Sequence, residues 1–184
     1  QLVQYGSALI QRRQTFAEEL GEIVHRIHSQ LSGGQEEMEL KYEPNVTVDA
    51  FAQMLFSNRE RDMRLKTTAT GPHRDDISFV VNGVDIRKFG SQGQQRTAAL
   101  SLKLSEIELV KRLIGDTPVL LLDDVLSELD SGRQNYLLNS IENIQTLITC
   151  TGLDEFVNHR FSINRIYKVT DGSVTVENKQ EADR

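Results

Sequence analysis

A chain of 184 residues with 38% hydrophobic and 26% charged content has the composition of a water-soluble globular protein and enough length for a proper core. Its net charge of −6 argues against a dedicated, uniformly basic nucleic-acid-binding domain, and no apolar run reaches the ~18 residues that span a bilayer. A single cysteine, Cys150, excludes an internal disulfide framework, and the N-terminus QLVQYGSALIQRR lacks a signal-peptide pattern, so a cytoplasmic location away from any membrane is expected.

The first predicted element is an amphipathic helix from about Ser7 to Leu31, with Leu9, Phe16, Leu20, Ile23, Ile27 and Leu31 at steps of three and four. Arg12 and Arg13 interrupt a clean heptad, which argues against a long coiled coil. Gly33-Gly34 ends the helix. Met38, Leu40 and Tyr42 then alternate with Glu39, Lys41 and Glu43, the period of a half-buried strand that Pro44 closes. A second helix is expected from near Asp49 to Lys66, burying Phe51, Leu55 and Leu65. Arg59, Arg61, Arg64 and Lys66 cluster at its end, followed by His73-Arg74 and Arg87-Lys88. Such a cluster is either a solvated face or a contact for phosphates.

DISFVVNGVDIRKF reads as a hairpin turning at Asn82-Gly83. A long helix follows from about Gln92 to Ile114, with Leu100, Leu104, Ile107 and Ile114 on one stripe that Leu102 and Leu109 widen. VLLLDD has the continuous apolar pattern of a central parallel strand. A helix over roughly Ser131 to Ile144, a second apolar strand TLIT and a final hairpin, IYKVTDGSVTVEN, complete the chain. Helices alternating with apolar strands indicate an α/β architecture.

Two stretches compete for one chemical role. LSGGQ at Leu31 to Gln35 and GSQGQQRT at Gly90 to Thr97 both resemble the loop by which one ATPase head touches nucleotide held by another. Such a loop must open a helix, because unpaired amides and the positive dipole end at a helix N-terminus favour an anion. LSGGQ closes a helix and leads into a strand, so it is read as a Gly-Gly stop. GSQGQQRT opens one: Ser91 can cap and Gly93 permits close backbone approach, although an ordinary capped helix would look alike. Asp123 and Asp124 fall at the C-terminal end of an apolar strand, where open α/β sheets bind ligands. Side chains on successive strand positions point oppositely, so one acid can hold Mg²⁺ through water while the other orients an attacking water. Capping the next turn is the alternative.

GPHRDD (Gly71 to Asp76), FGSQGQQRTAALSLKLSEIEL (Phe89 to Leu109) and LLLDDVLSELDSGRQNYLL (Leu120 to Leu138), in that order, resemble the RecF family, and YGSALIQRR resembles its middle region. The resemblance implies an ABC-type ATPase head related to SMC proteins, with a mixed sheet and flanking helices, plus a mostly helical arm subdomain. Residues 1–66 would be part of the arm and 67–184 the C-terminal half of the head. Asp123 would be the Walker B aspartate holding Mg²⁺ and Asp124 the catalytic acid, its short reach fitting slow hydrolysis. Ser91, Gly93, Gln94 and Gln95 would act in trans on ATP in a partner subunit. Ser127, Glu128, Leu129 and Asp130 would form the D-loop at a dimer interface. Cys150 or Thr151 stands where many such heads place a switch histidine.

The resemblance further implies an ATP-dependent homodimer that binds double-stranded DNA at gapped junctions and, with RecO and RecR, helps load RecA. Arg59, Arg61, Arg64, Lys66 and Arg74 are the candidate DNA contacts. The phosphate-cradling G-x-x-x-x-G-K-[ST] loop is absent from these 184 residues, and the chain opens at Gln1 without a methionine. It is therefore read as the C-terminal part of a longer protein, unable alone to bind ATP tightly or hydrolyse it. Two other readings compete: a metal-dependent nuclease using Asp123, Asp124, Glu128 and Asp130, and a non-enzymatic module that docks on a partner ATPase. The chemistry of His73 and Arg74 in GPHRDD is left open.

Overall fold

Apolar residues seven apart, Ile10, Ala17, Val24 and Leu31, with Leu20 and Ile27 between them, form the buried seam of α1 (Leu2–Leu31). The computed structural model describes residues 1–151 and 163–177; Asn178, expected in the last strand, and the side chain of Glu128 lie outside the described residues. The helix starts five residues earlier than the sequence pattern predicts. Leu9 and Phe16, expected inside, are exposed, because the seam runs one position later through Ala17, a residue too small to mark it. Arg13 occupies the seam position that would otherwise be apolar, and it is held there by a carboxylate described below.

After Gly33 and Gly34, both at positive φ, β1 (Met38–Glu43) returns along α1. The helix α2 (Val48–Leu65) is capped by Thr47 and stopped by Lys66 in the left-handed conformation. Of its expected apolar positions only Phe51 is buried, Leu55 is half-buried and Leu65 is exposed, since a single element, α1, packs on this helix substantially. β2 (Asp76–Val81) pairs antiparallel with β1, from Met38 opposite Val81 to Glu43 opposite Asp76. Asn82 and Gly83, at φ 48° and 82°, make the tight turn expected of that dipeptide. The returning strand β3 is only Val84–Asp85, because Asp85 caps the short helix α3 (Ile86–Phe89) where a longer strand was expected.

The long helix α4 (Gln92–Ile114) packs along α1. Leu100, Leu104 and Leu109 are buried, whereas Ile114, at the last turn, is exposed. β4 (Leu120–Asp123) lies parallel to β5 (Thr146–Thr149), with α5 (Ser131–Ser140) between them in the chain. Beyond the end of α5, Ile141 and Ile144 still reach the core. β6 (Ile166–Thr170) and β7 (Ser173–Glu177) form a hairpin about Asp171-Gly172. One main core joins Leu20 to Leu31 of α1 and Met38 with Val81, Ile86, the buried face of α4, Leu122, Leu126 and α5. A smaller cluster of Ile10, Val46 and Phe51 ties the start of α1 to α2.

The motif GPHRDD turns out to be a clasp between these elements. Asp75, whose side chain is 2% exposed, accepts hydrogen bonds from Arg13 at 3.1 Å, from the Tyr42 hydroxyl and from the Asn45 amide at 2.9 Å. Arg13 also donates to the Pro72 carbonyl. Burial, and then the Asp75 carboxylate, pushes the Tyr42 phenol up to about 12, so it stays a donor. Gly71 sits at φ 138°, and a Cβ there would press on the Phe51 ring at 3.3 Å. His73 bonds the Thr68 carbonyl through Nε2 at 2.7 Å, and Arg74 is exposed. Removing the Asp75 carboxylate strands three donors in a half-buried site, so Asp75→Ala is expected to cost about 2–4 kcal/mol and to lower Tm by roughly 5–15 °C in thermal unfolding. Arg74→Ala is expected to change stability by less than about 0.5 kcal/mol.

Candidate functional site

The N-terminus of α4 carries a reciprocal cap. Ser91 Oγ accepts from the Gln94 amide at 3.2 Å, and Gln94 Oε1 accepts from the Ser91 amide at 3.1 Å. The Gln95 amide bonds the Ser91 carbonyl at 3.0 Å. The first two helical amides, of Gln92 and Gly93, have no acceptor within the helix. Ser91 Oγ accepts in this cap, so its own proton remains available to a ligand. A Cβ placed on Gly93 would meet nothing nearer than Ser91 Oγ at 3.9 Å. The surface above this helix end is therefore open to an anion.

Gln94 and Gln95 point the other way. Gln94 Nε2 donates to Glu36 at 3.0 Å, and Gln95 Nε2 donates to the Ile86 carbonyl at 2.9 Å. Both carboxamides brace the turn from below, which leaves the hydroxyl of Ser91 and the first amides as the outward-facing donors. Gly90 was not singled out by the sequence, yet a Cβ there would lie 2.6 Å from the Ile86 carbonyl oxygen. The α3–α4 corner closes only on glycine, and a glycine directly before a capping serine is the signal that marks it.

The second constellation is the end of β4. Asp123 lies opposite Thr149 in the parallel register, and Thr149 Oγ1 donates to Asp123 Oδ1. That hydroxyl also accepts from the Asp124 amide at 3.0 Å. Asp124 has left the strand: its φ is 51°, a conformation that Asp and Asn tolerate better than most residues. Both carboxylates are exposed. Thr149 is a positioning residue that the sequence could not name, since register between strands is set by tertiary packing.

Among the described residues no group of three or more His, Cys, Asp and Glu could hold a metal ion. Mg²⁺ is ordinarily held by one or two carboxylates with water and phosphate oxygens completing the shell. Asp123, with Oδ1 fixed by Thr149 and its other oxygen without a hydrogen bond among the described residues, fits that requirement. Asp130 does not point to such chemistry: it caps α5, accepts from the Arg133 amide at 3.0 Å and pairs with the Arg133 guanidinium. The Arg133 amide and charge hold its carboxyl below the usual range. Ser127 donates to the Asp124 carbonyl at 2.9 Å, and Leu129 is half-buried against the core. Cys150 is a free, partly buried thiol packed on the core, and Thr151 is exposed.

Arg59, Arg61 and Arg64 are exposed on α2, with Lys66 at its C-cap. Arg61 and Arg64 are one turn apart on one face, whereas Arg59 lies about 200° round the helix from Arg61. No ion pair among the described residues engages these four cations or Arg74.

No family model matches the chain. It is 60% identical over 178 residues to the DNA replication and repair protein RecF of Lachnospira eligens, covering 97% of this chain and 49% of that protein. RecF of Agathobacter rectalis is 60% identical over 176 residues, with 96% and 49% covered. The chain thus spans about half the length of the curated relatives it matches. Among solved structures, the recombination mediator protein RecF with ATP in the RecFOR pathway superposes with a TM-score of 0.81 at 33% identity, over 96% of this chain and 48% of that one. An SMC ATPase shares the fold, at a TM-score of 0.53 and 15% identity over 91% of this chain and 88% of that one. The architecture is accordingly that of an α/β ABC-type ATPase half.

Proposed function

Because this chain corresponds to the C-terminal part of RecF, we propose that it supplies the trans-acting half of an ATP-driven, DNA-binding head used in DNA replication and repair. Residues 67–184 are the C-terminal half of that head and residues 1–66 part of its arm. The Ser91 hydroxyl and the amides of Gln92 and Gly93 donate to phosphate oxygens of ATP held by the P-loop of a second subunit. Asp123 keeps a carboxylate oxygen towards the water shell of Mg²⁺, and bound Mg²⁺ supplies neutralisation of phosphate charge. Asp124 orients the attacking water and accepts its proton. Ser127 to Asp130 cross the interface between two copies. Cys150 and Thr151 occupy the switch position, which fits a slow ATPase.

The observation that carries this reading is the outer face of the β4–β5 pair. Leu121 and Leu147 stand opposite each other in register and are 71% and 57% exposed, with Val119 beside them. Parallel strands are ordinarily covered on both faces, and a two-stranded parallel sheet is not stable alone. A P-loop-bearing half completes that sheet and supplies the phosphate cradle this chain lacks. The nuclease reading needs Asp130, which is engaged in the α5 cap and the Arg133 pair.

ATP-driven dimerisation, DNA binding at gapped junctions and delivery of RecA with RecO and RecR in the cytoplasm follow for the whole protein. The solved RecF–ATP structures of the RecFOR pathway support the nucleotide and the pathway. Among the described residues no helix is long and apolar enough to cross a membrane. The DNA part is tested by replacing Arg59, Arg61, Arg64 and Lys66 with Gln in the full-length protein. Affinity for duplex DNA is expected to fall at least tenfold, with a salt slope shallower by roughly 0.9 per lost phosphate contact. An unchanged affinity and slope would remove α2 from the DNA surface.

A further inference from the structure

The LSGGQ stretch is followed by Glu36, and this residue is wired to the other end of the molecule's chemistry. α1 ends at Leu31, and the chain reverses through Gly33 and Gly34 at φ 65° and 77°. The Gly34 amide bonds the Ser29 carbonyl at 2.7 Å, and the Glu36 amide bonds Ser32 Oγ at 3.2 Å. That turn brings the Glu36 carboxylate between α1 and the start of α4. Glu36 Oε1 accepts from Gln94 Nε2 at 3.0 Å, while Oε2 faces His28 Nε2 at 3.2 Å. His28 is 0% exposed, and its Nδ1 lies 2.9 Å from Ser101 Oγ in α4. Ser101 spends its own proton on the Thr97 carbonyl at 2.7 Å, so it receives the hydrogen from Nδ1.

We infer that Glu36 is a positioning residue for the Ser91 loop, fixing the orientation of the Gln94 carboxamide and thereby the cap that presents Ser91 and the first amides of α4. A primary amide can turn over, exchanging its oxygen and nitrogen at little steric cost. The Ser91 cap works only with Oε1 towards the Ser91 amide. A carboxylate accepts and does not donate, so Glu36 admits Nε2 alone and locks the productive orientation. Without it, Gln94 is free to rotate and the Ser91 amide loses its acceptor. The LSGGQ turn therefore serves the second loop from behind, by delivering Glu36. Burial lowers the His28 pKa, an effect the Glu36 charge partly offsets; with Nδ1 donating to Ser101, the ring hydrogen-bonds Glu36 through Nε2 only in its protonated form.

This inference rests on the reading of Ser91 to Gln95 as the nucleotide-facing loop, and its test separates the two. Amide hydrogen exchange is measured on the 184-residue chain for Ser91, Gln94 and Gln95, with the rest of α1 and α4 as reference. Glu36→Ala is expected to speed exchange at those three amides by roughly tenfold, leaving Leu100 to Leu109 within about twofold. Glu36→Gln is expected to restore protection, since its oxygen accepts from Gln94 and its amide nitrogen donates to His28 Nε2. Glu36→Asp, one methylene short of bridging both partners, should resemble Ala and serves if the Ala variant does not fold. Unchanged exchange in Glu36→Ala, or an equal rise along all of α4, would overturn the positioning role. ATP turnover is then measured with a P-loop-bearing half supplied. A loss in Glu36→Ala rescued by Gln supports both statements, whereas faster exchange with unaltered turnover upholds the positioning role and overturns the nucleotide role of the loop.

Discussion

Asp124→Asn, in a head completed by a P-loop-bearing half, is expected to lower ATP turnover by about 10²–10³-fold while ATP affinity stays within about threefold. Asparagine has the size of aspartate and tolerates the left-handed backbone at φ 51°. The Asp124 amide keeps its bonds to Thr149 Oγ1 and the Thr149 carbonyl. The substitution therefore removes the proton acceptor and little else. Steady-state hydrolysis at saturating ATP, with nucleotide binding measured separately, distinguishes this from a folding defect. A loss below about threefold would assign Asp124 to the turn and not to the chemistry.

Joint replacement of Leu121 and Leu147 by Glu is expected to weaken association with the missing half by at least 100-fold. The two side chains oppose each other across β4 and β5 and are exposed in this chain, so the chain alone should keep its Tm within a few degrees. Once the sheet is covered, two adjacent carboxylates would be desolvated without partners and would repel each other. Calorimetric titration of one half into the other reads the difference. Unaltered affinity would mean that this face of the sheet stays in water, and the apolar pair would need another explanation.

Which parts of the molecule were legible in the sequence follows from where the forces are local. The Asn82-Gly83 and Asp171-Gly172 turns, the Gly33-Gly34 stop and the start of α4 at Ser91 depend on backbone conformations that a few residue types provide, and each lies where the pattern puts it. Along α1, Leu20, Ile23, Ile27 and Leu31 are buried as the pattern predicts, but the first half of the seam lies one position later, because Ala17 contributes contact without hydrophobic signal while Phe16 and Leu9 advertise burial they do not have. Leu65, Ile114 and the outer residues of β4 carry the same lesson in reverse: their apolar character suits surfaces that no described element covers. At the candidate site, Asp123, Asp124 and Ser91 could be named from spacing alone. Thr149, Gly90 and Glu36 could not, since each acts across a tertiary contact set by strand register, a tight corner or a turn. The role of Asp75 was hidden for the same reason, its partners Arg13 and Tyr42 being far away in the chain.

Mg²⁺-dependent ATP hydrolysis by this chain, alone and mixed with a separately produced half that bears a P-loop, tests the central claim most directly. The account predicts no turnover from the chain alone, and turnover in the mixture that Asp124→Asn abolishes. Hydrolysis by the chain alone, insensitive to Asp124→Asn, would contradict it.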